Sequence, residues 1–173
     1  MKNIYLFTIP LLLTLLLISC DQEKAQSGTQ SELPAAKDFT LESVDGEKKV
    51  SLEDFRGKPA VINFWASWCG PCKEEMPLFE QTWKKYKDKD VVFVGIDVMD
   101  DRNNAEEFLK NEGITYTNLY DSSGEVSNKY GVIALPATFF LDKKGNIVVK
   151  NYGPFIGEDG RKKFKSYLKE IIE

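Results

Sequence analysis

The sequence predicts an α/β domain in which helices cover both faces of a central mixed β-sheet. In the middle of the chain, apolar runs of strand length alternate with amphipathic helical patterns, which is typical of parallel strands joined by crossover helices. Near the end, at 137–152, two strand patterns flank a short turn and predict an antiparallel hairpin. A sheet that contains both kinds of strand packs helices on each face.

The elements follow from the periodicity in chain order. Strands are short apolar or alternating runs, and helices repeat apolar residues every three or four positions. Asn103 and Glu106 match a capping box, which predicts that the second helix begins there, and Gly113 predicts its end. The predicted elements are a lead-in hairpin at 39–52, strands at 59–65, 91–97, 115–120, 137–141 and 147–152, and helices at 70–86, 103–113, 124–130 and from about 164 to the end.

Length and charge limit the class of protein. The chain has 173 residues, three cysteines, no histidine and a net charge of -4. This length fits one domain of ordinary size. The mildly acidic balance gives no support for nucleic-acid binding, which uses a basic face.

The N-terminus predicts export. Lys2 precedes an apolar run at 4–18, which is short for a membrane span and right for the core of a signal peptide. The run ends in Leu-Ile-Ser-Cys at 17–20, which resembles a bacterial lipoprotein box. Residues 1–19 are then a signal peptide, and Cys20 carries lipid on the outer face of the cytoplasmic membrane. An uncleaved membrane anchor with an incidental cysteine is the alternative.

A polar segment joins this anchor to the domain. Residues 20–37 contain little that could pack, so we expect a lipidated N-terminus followed by a flexible tether. The folded domain is placed at 38–173.

Cys69 and Cys72 are the strongest signal in the chain. They follow the apolar run 61–65 directly and precede a helical pattern, so the pair lies at a strand-to-helix turn. Helix N-termini favour a thiolate, which predicts dithiol/disulfide exchange. A purely structural disulfide is the alternative. Zinc needs about four ligands, and without histidine, and with only Cys20 to spare, such a site cannot be assembled within one chain.

These residues also carry a family resemblance. The sequence at 64–73, Phe-Trp-Ala-Ser-Trp-Cys-Gly-Pro-Cys-Lys, together with Leu-Pro-Ala-Thr at 135–138, resembles thioredoxin-fold proteins. The export signal, the lead-in hairpin and a central insert between 97 and 121 resemble the extracytoplasmic ResA/TlpA branch. The resemblance implies a thioredoxin fold over 38–173.

The resemblance also implies roles for the two cysteines. Cys69 attacks a substrate disulfide, Cys72 resolves the mixed disulfide, and the Cys69–Cys72 disulfide is the redox centre with no further cofactor and no metal. Gly70 and Pro71 form the dipeptide of thioredoxin, which implies a reductant. These two residues are also expected to contact substrate.

Further substrate contacts are implied by the same resemblance. Trp68 provides a docking surface, Pro136 has a cis peptide bond facing the cysteines, and the Leu135 backbone pairs with an extended substrate segment. Trp65, inside the strand, is interpreted as core packing.

Two acidic positions have alternative interpretations. Asn63 stands where similar thioredoxins carry a buried proton-transferring aspartate, and Glu75 resembles the glutamate that ResA-like proteins place beside the cysteines. Glu75 is therefore predicted to support catalysis; alternatively, Glu74 and Glu75 are two solvated acids of the first helical turn. Asp97, Asp100 and Asp101 are interpreted as residues that form turns or cap a helix.

The predicted function is a membrane-tethered thiol-disulfide oxidoreductase that reduces client proteins. The resemblance implies apocytochrome c as client, hence cytochrome c maturation, and a membrane thiol-electron carrier as reductant. A thiol peroxidase is an alternative, although its Pro and Thr context is absent. A copper-delivery lipoprotein of the SCO type would need a histidine, and a plain binding lipoprotein needs no chemistry.

Overall fold

The computed structural model describes residues 33–173. The predicted signal peptide, the lipidation site Cys20 and most of the tether lie outside the described residues. Residues 34–37 pack on the domain, because Ala35 bridges to Asn146 and the Ala36 N–H donates to the Gly145 carbonyl at 2.9 Å. The packed chain therefore begins a few residues before the predicted start at 38.

One seven-stranded mixed sheet organises the described chain, in the order β2-β1-β5-β4-β3-β6-β7. The neighbours β3, β4 and β5 are parallel, and all other pairs are antiparallel. The strands are β1 (Thr40–Ser43), β2 (Lys49–Ser51), β3 (Ala60–Trp65), β4 (Val92–Val98), β5 (Thr117–Asp121), β6 (Ala137–Leu141) and β7 (Ile147–Tyr152). The α-helices are α1 (Gly70–Tyr86), α2 (Arg102–Asn111), α3 (Glu125–Lys129) and α4 (Gly157–Ile172), and short 3-10 turns occur at Leu52–Phe55 and Lys87–Lys89.

Strand β3 is buried along its whole length, which explains why its sequence is apolar at every position except Asn63. Its two faces belong to two apolar clusters. One cluster contains Phe79 of α1 and Phe164 of α4, whose rings stack with centroids 4.8 Å apart. The other contains Phe64 and Phe139, packed edge to face. The mixed α/β class and the hairpins predicted at both ends are thus observed.

The start of α2 differs from the prediction. Asp101 is the cap: its Oδ1 accepts hydrogen bonds from the backbone N–H of Asn103 at 2.9 Å and of Asn104 at 3.1 Å. The capping box predicted at Asn103 and Glu106 is therefore wrong, because an aspartate two residues earlier already accepts the free N–H groups of the first turn.

Helix α4 begins at Gly157, seven residues earlier than predicted, and the remaining boundaries differ by only a few residues. Strand β5 begins at Thr117, two residues later than predicted, and ends at Asp121. Across residues 33–173, no helix combines the length and apolar character that a membrane span requires.

Candidate active site

The loop after β3 places Cys69 at the N-terminus of α1. A turn closes the loop, since the Cys69 N–H donates to the Ala66 carbonyl at 3.1 Å. Cys69 is the N-cap residue, and Pro71 fits the first turn because a proline there loses no helical hydrogen bond. The free N–H groups and the helix dipole of α1 favour a negative charge on the Cys69 sulfur once the pair is reduced.

Cys69 and Cys72 form a disulfide, with Cα atoms 5.3 Å apart. Cys69 is 6% exposed and Cys72 is fully buried, whereas Gly70 and Pro71 between them are exposed. An incoming sulfur therefore reaches Cys69 first. The attacking role of Cys69 and the resolving role of Cys72 stay predictions.

Glu75 lies one turn of α1 beyond Cys72 and is fully buried, whereas Glu74 is exposed. Its Oε2 accepts the Phe155 N–H at 2.8 Å and its Oε1 accepts the Asn63 amide at 2.9 Å. Burial raises the pKa of Glu75 to about 7, and these two hydrogen bonds limit the rise. The interpretation of both glutamates as solvated acids is therefore wrong for Glu75.

Asn63 links Glu75 to the sheet. Its Nδ2 also donates to Thr138 Oγ1 at 3.1 Å, on the neighbouring strand β6. Its Oδ1 is buried without a hydrogen-bond partner among the described residues. An asparagine cannot exchange a proton, so Glu75 is the ionisable side chain of this group.

The Leu135–Pro136 segment reaches the same edge of the sheet. Strand β6 runs antiparallel to β3, with Ala137 opposite Phe64, so the start of β6 lies beside the end of β3. The Leu135–Pro136 peptide bond is cis, as predicted. Pro136 is buried and Leu135 half-buried.

Exposed apolar side chains occur in both of the segments that meet at this edge of the sheet. Trp68 is 63% exposed and directly precedes Cys69, whereas Ile133, in the loop before β6, is 88% exposed. Trp65 is fully buried, in agreement with its interpretation as core. The exposed side chains are available to an apolar polypeptide, and the substrate roles of Trp68, Gly70, Pro71, Leu135 and Pro136 stay predictions.

The sequence interpretation missed the environment of Asp97. This residue belongs to β4, is fully buried, and neither caps a helix nor forms a turn, so its interpretation as a turn or capping residue is wrong. Burial raises its pKa to about 8, and the charge of Asp100 contributes to the rise. An aspartate inside the apolar run 91–98 was the signal that could have revealed it.

Asp100 connects this acid to the cysteine loop. One carboxylate oxygen of Asp100 accepts the Ser67 N–H and the other accepts the Asp101 N–H at 2.7 Å. The Tyr120 hydroxyl donates to the Asp100 carbonyl at 2.8 Å. Among residues 33–173, no three His, Cys, Asp or Glu side chains gather as the ligands of a metal ion would.

Known proteins are similar to this chain in sequence and in fold. The AhpC/TSA family model matches residues 34–150. The thiol-disulfide oxidoreductase ResA of Bacillus thuringiensis subsp. konkukian is 33% identical over 150 residues, 87% of this chain and 81% of the relative. A thioredoxin-family thiol:disulfide interchange protein of Chlorobium tepidum TLS matches with a TM-score of 0.72 at 28% identity, over 83% of this chain and 99% of its own. A secreted Mycobacterium tuberculosis disulfide oxidoreductase matches with a TM-score of 0.67 at 27% identity, over 76% of this chain and 95% of its own.

Proposed function

Because this chain belongs to the AhpC/TSA family and is a thiol-disulfide oxidoreductase of the ResA/DsbE type, we propose that it reduces protein disulfides outside the cytoplasm. Its relatives confirm the predicted thioredoxin fold and the class of enzyme. The observation that carries the proposal is the Cys69–Cys72 disulfide at the N-terminus of α1, with Cys69 outermost and Gly-Pro between the cysteines.

The proposed reaction starts from the dithiol form. The Cys69 thiolate attacks one sulfur of the client disulfide, which forms a mixed disulfide and releases the other client sulfur as a thiolate. Cys72 then attacks the Cys69 sulfur and releases the second client thiol. Two electrons pass to the client, and the protein is left as the disulfide.

Glu75 supports the second step in this proposal. Cys72 must lose its proton before it can attack, and it is buried where water has little access. A carboxylate whose pKa lies near 7 can take that proton at neutral pH and return it later. Asn63 and the Phe155 N–H orient the carboxylate for this transfer.

The direction of electron flow is tested by the equilibrium with glutathione. Thioredoxin has a potential of about -270 mV and the oxidant DsbA about -120 mV, a gap of roughly 7 kcal/mol. We expect this protein to have a potential close to that of thioredoxin, because it has the same Gly-Pro dipeptide between its cysteines. A potential near that of DsbA would overturn the proposed direction.

The client is proposed to be the Cys-x-x-Cys-His segment of apocytochrome c. In an oxidising compartment a reductase must be recharged, so a membrane carrier of thiol equivalents is proposed as its electron donor. Support for this compartment comes from the export signal and from the relative described as secreted.

Trapping identifies the client. A Cys72→Ser variant, expressed in the native cell, retains the attacking sulfur but cannot resolve the mixed disulfide. We expect a covalent complex that dithiothreitol releases and whose partner contains the haem-binding motif. Cys69→Ser is the matched control and should trap nothing. Capture only of proteins without that motif would contradict the client.

Two further assays test the anchor and the alternative chemistry. Metabolic labelling with a fatty acid should mark the wild-type chain and not Cys20→Ser, and an unlabelled wild type would contradict the lipid anchor.

A thiol peroxidase would consume hydrogen peroxide faster than its Cys69→Ser variant. We expect no such difference, and consumption that depends on Cys69 would favour the peroxidase.

A further inference from the structure

Asp97 is a buried acid without a role in the exchange described above. It is fully buried, and no described residue donates a hydrogen bond to either of its carboxylate oxygens. In the sheet it lies between Trp65 of β3 and Tyr120 of β5. Such a group is costly to bury as an anion, so its surroundings favour the protonated form.

Tyr120, which lies opposite Asp97 in the sheet, donates its hydroxyl to the Asp100 carbonyl, so Asp100 lies on the same side of the sheet end as Asp97. The charge of Asp100 contributes to the raised pKa of Asp97, and the Asp100 carboxylate holds the cysteine loop through the Ser67 N–H. Ser67 directly precedes Trp68 and Cys69, so this hydrogen bond fixes the backbone that leads to the attacking sulfur. Two carboxylates can bond to each other only if one of them keeps a proton, because ionised carboxylates have no donor. The charge state of Asp97 therefore determines whether it attracts or repels Asp100.

The other charged groups around Asp97 do not neutralise it. The cation whose charge acts on Asp97 is Arg102. Its guanidinium lies over the Tyr120 ring and bonds to the Ser43 carbonyl at 3.1 Å and to Glu42 at 3.2 Å. The Tyr120 hydroxyl already donates its hydrogen to the Asp100 carbonyl. Arg102 lowers the pKa of Asp97, but burial and Asp100 outweigh it.

We propose that Asp97 is a positioning residue of the exchange reaction, which acts through Asp100. With its proton, Asp97 donates a hydrogen bond to Asp100, and Asp100 keeps the Ser67 N–H and the loop at 66–68 in place for attack by Cys69. When Asp97 loses the proton, the two carboxylates repel each other and the hydrogen bond to Ser67 weakens. The inference rests on thiol-disulfide exchange at Cys69 and is independent of the client.

The first test follows the Ser67 amide by NMR in the oxidised protein, so that no thiol titrates. We expect its shift to move with a midpoint near pH 8 in the wild type, since burial and Asp100 raise the pKa of Asp97 to about 8. Asp97→Asn keeps a hydrogen-bond donor of similar shape without a titrating proton, and its Ser67 signal should stay constant. Asp159→Asn, an exposed aspartate of α4, is the control for a lost charge and should behave as wild type.

The second test measures alkylation of Cys69 by iodoacetamide in the reduced protein from pH 6 to 10. A Glu75→Gln background removes the other buried acid near the site. Above pH 8 we expect the alkylation rate to be roughly tenfold lower than the fraction of Cys69 present as thiolate would give. This factor is equivalent to about 1.4 kcal/mol of lost positioning. Adding Asp97→Asn should restore the curve of a single thiol.

Each negative result is decisive. A Ser67 amide that does not titrate between pH 7 and 9, or that titrates unchanged in Asp97→Asn, overturns the proposal. An alkylation profile that Asp97→Asn leaves unaltered also overturns it, even if Ser67 titrates. If either test fails but the equilibrium with glutathione gives a potential close to that of thioredoxin, the proposed reductase function is unaffected.

Discussion

At the scale of single residues, the chemistry depends on how an ionisable side chain is buried. Glu75 and Glu74 are neighbours of the same type, yet only Glu75 faces the core and has a raised pKa. A helical phase difference of one position separates a solvated acid from a buried acid with a raised pKa. The sequence showed the spacing from Cys72, whereas the hydrogen bond from Phe155, 80 residues later, belongs to the folded state alone.

The first prediction concerns stability as a function of pH. Folding raises the pKa of Glu75 from 4.5 to about 7, so its contribution is complete below pH 4.5 and is lost as pH rises towards 7. The loss amounts to about 3 kcal/mol. We expect Glu75→Gln to reduce this fall in the free energy of unfolding, measured in urea from pH 4.5 to 8. Glu74→Gln is the control, and equal slopes in wild type and Glu75→Gln would contradict the assignment.

The second prediction concerns Gly95 of β4. A Cβ atom there would lie 1.9 Å from Asn118 Oδ1 and 2.8 Å from Trp65 Nε1. We expect Gly95→Ala to destabilise the protein by about 1 to 3 kcal/mol, because the core has no room for a methyl group. Gly70→Ala meets nothing within 4 Å and is the control for stability.

A second variant tests the cause of that loss. Asn118→Ala removes the atom that the new methyl group would strike. In the double variant we expect Gly95→Ala to cost less than it does alone, by urea denaturation. A cost that is the same with and without Asn118 would show that this contact is not responsible.

At the scale of elements, the beginning of α2 shows how local competition defeats a sequence pattern. Asn103 and Glu106 have the spacing of a capping box, but Asp101 accepts the same free N–H groups from an earlier position. Arg102 then bonds to the carbonyl oxygens of Ser43 and Val44, which ties α2 to the lead-in hairpin. This long-range contact has no signature in the local sequence.

The third prediction follows from that cap. Asp101→Ala should lower the free energy of unfolding by about 1 kcal/mol, since two N–H groups lose their acceptor. Asn103→Ala is the matched control, because its side chain makes no cap, and it should change stability by less than about 0.5 kcal/mol. Urea denaturation of both variants measures the difference. A larger loss for Asn103→Ala would restore the capping box.

At the scale of the whole molecule, most of the fold could be predicted, because apolar periodicity, the length of each apolar run and the turn residues around it together distinguish strands from helices. The cysteine pair was also predictable, since its spacing is local. The pairing of Asn63 with Glu75, and of Asp100 with Ser67, was not, because each joins residues from separate elements. The burial of Asp97 could have been predicted from its place in the apolar run 91–98, whereas its neighbours Trp65 and Tyr120 follow only from the pairing of β4 with β3 and β5.

The fourth prediction compares the two redox forms. A reductase gives up electrons readily, so its disulfide form should be the more stable one, opposite to DsbA, whose reduced form is stabilised. We expect the free energy of unfolding to be about 2 kcal/mol higher for the oxidised protein than for the reduced protein, because so short a disulfide loop constrains the unfolded chain only modestly. Urea denaturation with and without dithiothreitol measures the gap. A more stable dithiol form would contradict a reductant.

The docking of Ala35 beside Asn146 has a consequence for access. Asn146 belongs to the turn between β6 and β7, which lies next to the start of β3, whereas the disulfide follows the end of β3. The six residues of β3 separate the two places by about 20 Å. The polypeptide thus enters the packed domain at the pole remote from its reactive sulfurs. A client protein can therefore approach the end of the domain that carries the disulfide without being obstructed by the segment at 34–37.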